Sequence, residues 1–170
     1  MEIRPATLQD ARAIAEVHVL SWRHAYINLL PREFLEGLSV EDRKDMWSQA
    51  IASGQTSVLV AESNGQVIGF SAFGPCRNER VSSSDYELWA LYLSPIHWSS
   101  GIGRALWLRS REAMIANGAT RIGLWVLAGN ERAISFYTAA GFCAEAGSVK
   151  PLELGGAQAH EVRYVLQVVA

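Results

Sequence analysis

A single domain of mixed α and β structure is what this sequence predicts, and three observations carry the expectation. Two apolar segments flank Asn64-Gly65, a dipeptide that accepts φ > 0 at both central positions of a two-residue hairpin turn. An unbroken apolar run, Leu88 to Leu93, is stopped by Pro95 and reads as a strand inside a sheet. Around these lie stretches whose apolar residues recur at 3.6-residue spacing, as in helices with one buried face.

Composition bounds the function classes. The 170 residues suit one domain, which at this length buries about two-thirds of the surface of its unfolded chain. A formal net charge of -2 and a pI of about 6.1 lack the basic footprint of a nucleic-acid binder, so no nucleic-acid partner is expected. Cys76 and Cys143 stand apart and show no metal-ligand spacing, which predicts no metal and a reduced, cytoplasmic setting. A disulfide between them is the alternative. MEIRPATLQD has no apolar core of signal-peptide length and no segment reaches the length of a membrane span, so a soluble protein is expected.

In chain order, Glu2 to Ala6 reads as a first strand, and Thr7 with Asp10 as a capping box opening a helix. Ala11, Ile14, Ala15, His18 and Trp22 share one face of that helix, so His18 is expected in the core as a hydrogen-bonded structural histidine. The segment Trp22 to Leu30 is aromatic and basic enough to wall an acceptor pocket through Trp22 and Tyr26, although packing of a helix corner explains both residues equally simply. Pro31 starts a second helix, Arg32 to Ala52.

Ser57 to Glu62 and Gln66 to Phe73 form the hairpin strands, and Gly74 to Asp85 a polar surface loop. The strand ending at Leu93 is followed by Ser99, Ser100, Gly101 and Gly103, whose small or absent side chains let main-chain amides approach a ligand. The helix from Ile102 to about Asn117 adds unpaired N–H groups and its positive dipole end, and together these make a seat for a phosphate-like anion. Arg109 falls awkwardly on that helix, while Trp107 and Met114 occupy a second face that suggests a subunit contact or burial under a loop.

Gly118 ends the helix, Arg121 to Leu127 is a buried strand, and Asn130 caps a short helix carrying Ala133, Phe136, Tyr137 and Ala140 on one face, with Gly141 at its stop. Phe142 to Val149 and Glu161 to Val168 read as two last strands joined by a Gly155-Gly156 loop, making seven in all.

The segments Leu-Tyr-Leu-Ser-Pro, Ser-Ser-Gly-Ile-Gly and Asn130-Glu-Arg-Ala133-Ile-Ser-Phe136-Tyr137-Thr-Ala-Ala-Gly141-Phe142, at this separation, resemble the GNAT superfamily of acetyl-CoA-dependent N-acetyltransferases. The resemblance covers residues 87 to 106 and 124 to 142. It implies an α+β fold with a mixed, mostly antiparallel sheet of about seven strands and helices on both faces. The fourth and fifth strands would splay into a V that admits the pantetheine arm of acetyl-CoA, the acetyl donor, beside Leu91, Tyr92 and Leu93.

The same resemblance seats the pyrophosphate on Ser99, Ser100, Gly101, Ile102, Gly103 and Arg104. Trp98 stands where the family usually has Gln or Arg, and Ser99 where it often has Gly. Asn130, Ala133 and Phe136 would border the coenzyme, with Tyr137 at the thioester sulfur. Glu87 matches a glutamate that many relatives carry at the start of this strand.

An amine of pKa near 10.4 is mostly protonated at pH 7, and neutralising it costs about 4.6 kcal/mol. Glu87 is the expected base, acting through water, with His97 and His24 in reserve. Its alternative is an ion pair with Arg77 or Arg80. Cys143 has no supporting base and is expected to be packed, so direct attack in a ternary complex is predicted. The acceptor is expected to be a primary amine of a small molecule or protein terminus, in a pocket of mixed chemistry bordered by 22–30, 74–85 and 150–160, where aromatic residues suit an apolar or cationic group and Arg23, Arg77 and Arg80 suit a carboxylate. A homodimer is the expected assembly. The competing reading is a non-catalytic coenzyme A-binding regulatory module; thiol release with an amine panel separates the two.

Overall fold

The computed structural model of the protein describes residues 1–77 and 82–168. Eight strands form one sheet: β1 (Glu2–Pro5), β2 (Ser57–Ser63), β3 (Gln66–Pro75), β4 (Asp85–Leu93), β5 (Arg121–Leu127), β6 (Cys143–Ala144), β7 (Lys150–Leu154) and β8 (Ala157–Gln167). Their order is β1-β2-β3-β4-β5-β8-β6, with β7 also on β8. The β4–β5 pair is parallel and the other pairs are antiparallel, which gives the mostly antiparallel α+β fold expected, with eight strands in place of seven.

The alternation of side chains along β3 explains why it is buried on both faces. Phe70 and Ala72 point to one side, where α1 (Ala11–Ala25) and α3 (Val40–Ser53) bring Ile14, Ala15 and Trp47 onto Val58 and Val60. Ser71 and Phe73 point to the other, where α4 (Ile102–Ala116) and α5 (Glu131–Ala139) close a core of Trp107, Met114, Ile122, Leu124 and Phe142. The Ser71 and Ser110 hydroxyls pair at 2.8 Å across that second interface, so neither is buried unsatisfied. The hairpin turn has Asn64 at φ 51° and Gly65 at φ 76°, as its sequence requires. His18 is buried, accepts the Trp47 indole N–H at 3.1 Å and stacks on Tyr92 at 5.2 Å, the structural role expected of it.

Several boundaries differ from expectation. Arg32 to Ala52 is two helices, α2 (Arg32–Glu36) and α3, because the Gly37 amide closes onto the Glu33 carbonyl and Ser39 starts afresh, its hydroxyl accepting the Asp42 N–H at 3.1 Å. The capping box at Thr7 forms, with the Thr7 N–H donating to Asp10 at 2.7 Å. It opens a 3₁₀ turn, Leu8–Asp10, before α1 begins. β3 runs on through Gly74 to Pro75, so the polar loop is shorter than the 74–85 expected, and Arg80 lies outside the described residues.

After α5 the described residues hold three strands instead of two. Gly147 at φ 73° breaks the run after the two-residue β6, and the Gly155-Gly156 pair, at φ 60° and 79°, turns β7 directly back into β8. Trp107 (3% exposed) and Met114 (0%) are core, with the Trp107 ring 5.0 Å from Phe142, so they form no subunit contact. Arg109 sits at the surface, paired with Glu112 at 2.9 Å one turn on.

Candidate active site

The site begins with a pairing that stops. β4 and β5 pair only from Asp85 to Glu87 against Arg121 to Gly123, and beyond that point they part. On its other edge β4 stays bonded to β3 as far as Leu93↔Gly69. The register there slips: Ala72 faces Ala90 and Phe73 faces Leu88, leaving Trp89 as an extra residue. A bulge of this kind bends the strand that carries it. Among the described residues, Leu88 to Leu93 therefore have no ladder partner on the β5 edge, and the main-chain groups that face that edge are open to a ligand, apart from the Leu93 carbonyl, which accepts from the Ser21 hydroxyl and the Trp98 indole.

A cleft of about 380 Å³ fills the opening. Leu91, Tyr92 and Leu93 form one wall, Trp125 and Val126 of β5 the other, and Asn130, Ala133, Phe136 and Tyr137 of α5 and its cap close it. At its mouth lie Trp98, Ser99, Gly101, Gly103 and Arg104. Ser99 (φ 60°) and Gly101 (φ 85°) adopt left-handed backbone, which turns the chain into the first turn of α4, where amides lack helical carbonyl partners. At Gly103 a Cβ would lie 3.3 Å from Leu93 Cδ1 and 3.6 Å from Phe136 Cε2, so its absence keeps this turn close to the cleft wall.

Ser100 and Ile102, expected here, do not line the cleft. The Ser100 hydroxyl donates to the His97 carbonyl, and Ile102 packs with Leu106, Ala61 and Ile68. Trp98 uses its indole N–H to bond the Leu93 carbonyl at 3.1 Å, tying the mouth to the end of β4. Arg132, which sequence reasoning missed, lies 4.6 Å over the Trp98 ring and donates to the Ser99 hydroxyl at 3.3 Å. With Arg104 it gives the mouth two cations, suited to an anionic group. The sole sequence signal for Arg132 was its place two residues after the cap Asn130.

Deeper in the cleft, Asn130 accepts the Ala133 N–H at 3.3 Å as the α5 cap. Tyr137 lines the cleft wall, and the protein packed around its hydroxyl pushes its pKa up, with Tyr92 the second cause. Burial likewise raises Tyr26 and Tyr92. All three phenols are neutral at physiological pH and able to donate a hydrogen bond.

A second cavity, of about 520 Å³, backs onto the first and shares Tyr26, Leu88, Trp89, Tyr92 and Trp125 with it. Glu87 lies on its wall, 4% exposed, and accepts from the Arg77 guanidinium at 2.8 Å. Of the two roles expected for Glu87, the ion pair with Arg77 is thus formed. Arg77 lies over Trp89 at 4.8 Å, and Lys150 lies over Trp125 at 4.1 Å with its Nζ 3.5 Å from Glu161. Trp22 also lines this cavity, edge-on to Tyr26 at 5.0 Å. Trp89 and Trp125 were hidden in apolar strand runs, where a cavity-lining residue looks like a core residue.

Other candidates fall elsewhere. Arg23 donates to the Leu35 and Leu38 carbonyls at 2.9 and 3.1 Å and ties α1 to α2, so it offers no carboxylate site. His24 bonds the Leu20 carbonyl of its own helix, whereas His97 lies at the mouth of the first cleft. Cys143 is exposed at the start of β6, not packed as expected, and both cysteines are free. Among the described residues no group of three or more His, Cys, Asp or Glu is placed to hold a metal, and no helix is long and apolar enough to cross a membrane.

A sheet opened between two parallel strands, with an amide-lined mouth at a helix start, defines the class of protein, and comparison with known proteins agrees. Residues 23–142 match the acetyltransferase (GNAT) family. The chain is 35% identical over 161 residues to YuaI of Bacillus subtilis strain 168, an uncharacterized N-acetyltransferase, covering 94% of this chain and 89% of that protein. It is 27% identical over 150 residues to the spermidine N(1)-acetyltransferase of Thermoplasma acidophilum, covering 85% and 89%. The fold superposes with a TM-score of 0.80 at 24% identity on the PaiA N-acetyltransferase from Thermoplasma acidophilum in complex with coenzyme A, over 98% of each chain. This chain belongs to the GNAT acetyltransferase family.

Proposed function

We propose that the protein transfers an acetyl group from acetyl-CoA to a primary amine of a small molecule or a protein terminus, by direct attack while both substrates are bound. The observation that carries the reading is one continuous cleft with free amides and two arginines at its mouth and the Tyr137 phenol deeper in. Leu91, Tyr92 and Leu93 would bond the pantetheine arm through the edge of β4 that β5 leaves open, and Ser99, Gly101, Gly103 and Arg104 would hold the phosphates.

The amine nitrogen forms a bond to the acetyl carbon as the carbon–sulfur bond breaks, so one proton must leave nitrogen and one must reach sulfur. Glu87 stands on the far side of the wall the two cavities share and takes the amine proton through water. Its pair with Arg77 holds the carboxylate in place. Tyr137, neutral and donating, gives a hydrogen bond or proton to the leaving thiolate, assistance typically worth about 10² to 10⁴ in rate. The aromatic wall contributes as well, since a poorly solvated ammonium loses its proton more readily.

Trp98 replaces the polar side chain common in relatives, but its bond to Leu93 and its stack with Arg132 keep the mouth in shape. The test is thiol release from acetyl-CoA with a panel of primary amines, with mass detection of the products. Amine-dependent thiol release supports the reading. Acetyl-CoA binding without release under any amine identifies a non-catalytic binder, and a burst of acetyl-enzyme without acceptor overturns direct attack.

A further inference from the structure

We infer that the acceptor is a small amine that also carries an anionic group, taken into the second cavity with its amine end first; this rests on the acetyl-transfer reading above. The inference comes from how charge is layered in that cavity. Among the described residues its lining holds two carboxylates, Glu87 and Glu161, and two cations, Arg77 and Lys150. They are not at the same depth. The Glu87 and Glu161 side chains are 5% and 27% exposed, whereas Arg77 and Lys150 are 65% and 52% exposed.

Each cation is steadied by the same construction: Arg77 between Glu87 and the face of Trp89, Lys150 between Glu161 and the face of Trp125. Trp89 belongs to β4 and Trp125 to β5, so one such stack stands on each arm of the V. Both indoles also wall the acetyl-donor cleft. An amine that reaches the shared wall therefore passes between two half-exposed cations and ends beside the buried Glu87 and the partly buried Glu161.

This layering discriminates among amines. A monoamine with an alkyl tail brings no charge to the outer level, where Arg77 and Lys150 then keep only their carboxylate partners within the protein. A diamine or polyamine puts its second ammonium at the level of Arg77 and Lys150, where like charges repel. An amine with a carboxylate or similar anion at its other end meets opposite charge at both levels, and the guanidinium fork of Arg77 suits a planar carboxylate in particular. The selectivity comes from the outer pair, since the inner carboxylates attract any ammonium.

The experiment compares matched acceptors that differ only at the far end. One set is 5-aminopentanoate, pentylamine and 1,5-diaminopentane; the other is alanine, 2-aminopropane and 1,2-diaminopropane, which brings the second group close to the amine. Acetyl-CoA binding is measured separately by calorimetry. The expected result is a kcat/KM for the carboxylate member of at least one set about tenfold above its two partners, expressed mainly in KM, as fits two partly screened cations. Lys150→Glu is expected to lower the ratio of carboxylate to diamine turnover by about tenfold while acetyl-CoA binding persists; should it fail to fold, Lys150→Gln tests the same ratio with a smaller change. Diamines or monoamines preferred in both sets, or a ratio insensitive to Lys150, overturn this inference and leave the acetyl-transfer reading intact. Absence of acetyl-CoA binding overturns both.

Discussion

Replacing Gly74 by alanine tests whether the wall between the two cavities controls turnover. Gly74 pairs with Glu87 across β3 and β4, and a Cβ there would stand 2.6 Å from Trp89 Cη2 and 3.1 Å from Cζ2. Ordinary carbon contacts lie near 3.5–4.0 Å, so the indole must move by about 1 Å. The Gln55 carbonyl, 3.3 Å from the same Cβ, limits escape on the other side. Overpacking of this size costs about 1–3 kcal/mol, which for a chain of this length lowers Tm by roughly 3–10 °C.

Because Trp89 walls both clefts and carries Arg77 on its face, its displacement shifts the acceptor, and a shift of about 1 Å is worth up to ~10²-fold in rate. Differential scanning fluorimetry and steady-state kinetics read the two effects. The double variant Gly74→Ala with Trp89→Phe removes the clashing atoms, so it is expected to be more stable than the two single effects sum to. Wild-type Tm and kcat/KM in Gly74→Ala, or strict additivity in the double variant, would refute the steric argument.

Other expectations follow from the same geometry. Tyr137→Phe is expected to lower kcat by about 10²-fold or more with acetyl-CoA binding nearly unchanged by calorimetry; undiminished turnover removes the phenol from the chemistry. Glu87→Gln is expected to lower kcat about 10²-fold for amines of high pKa and much less for weakly basic amines, as a pH–rate series with both kinds would show. Burial holds His18 at about 3, below its ordinary 6.5, so it is neutral in the native state and gains a proton first in the unfolded chain. Stability from this source is complete above pH 6.5 and is lost as pH falls toward 3, and Tm between pH 7 and 4 is expected to fall less steeply in His18→Phe than in the wild type. The Arg4 guanidinium, bonded at 2.8 and 2.9 Å, holds Asp10 at about 2, so that pair stabilises above pH 3.8 and fails as pH falls toward 2; Asp10→Asn should cost about 1–2 kcal/mol at pH 7, measured by urea unfolding.

Local chemistry made much of this protein readable from its residues alone. The Asn64-Gly65 turn, the β5 limits Arg121 to Leu127, the Asn130 cap and the start of α4 at Ile102 each depend on residues within a few positions, and each lies where expected. Periodicity reports that a side chain is buried but not against what, so Trp107 and Met114 were open to assignment as a contact surface until Phe142 folded over them. The two-residue β6 carries no periodic signal at all, and its existence depends on β8 lying alongside. The mouth of the first cleft was legible because loop and helix start are contiguous. Of the second cavity only the bordering segments 22–30, 74–85 and 150–160 were expected, and Trp22, Tyr26, Leu30, Arg77, Lys150 and Leu154 of them line it; its β4, β5 and β8 walls were not, and the stacks of Arg77 on Trp89 and Lys150 on Trp125 arise only when the β4–β5 ladder stops after Glu87 and the β7–β8 hairpin closes beside it. Which strands part, and what then faces the gap, is set by long-range packing that no short window of sequence contains.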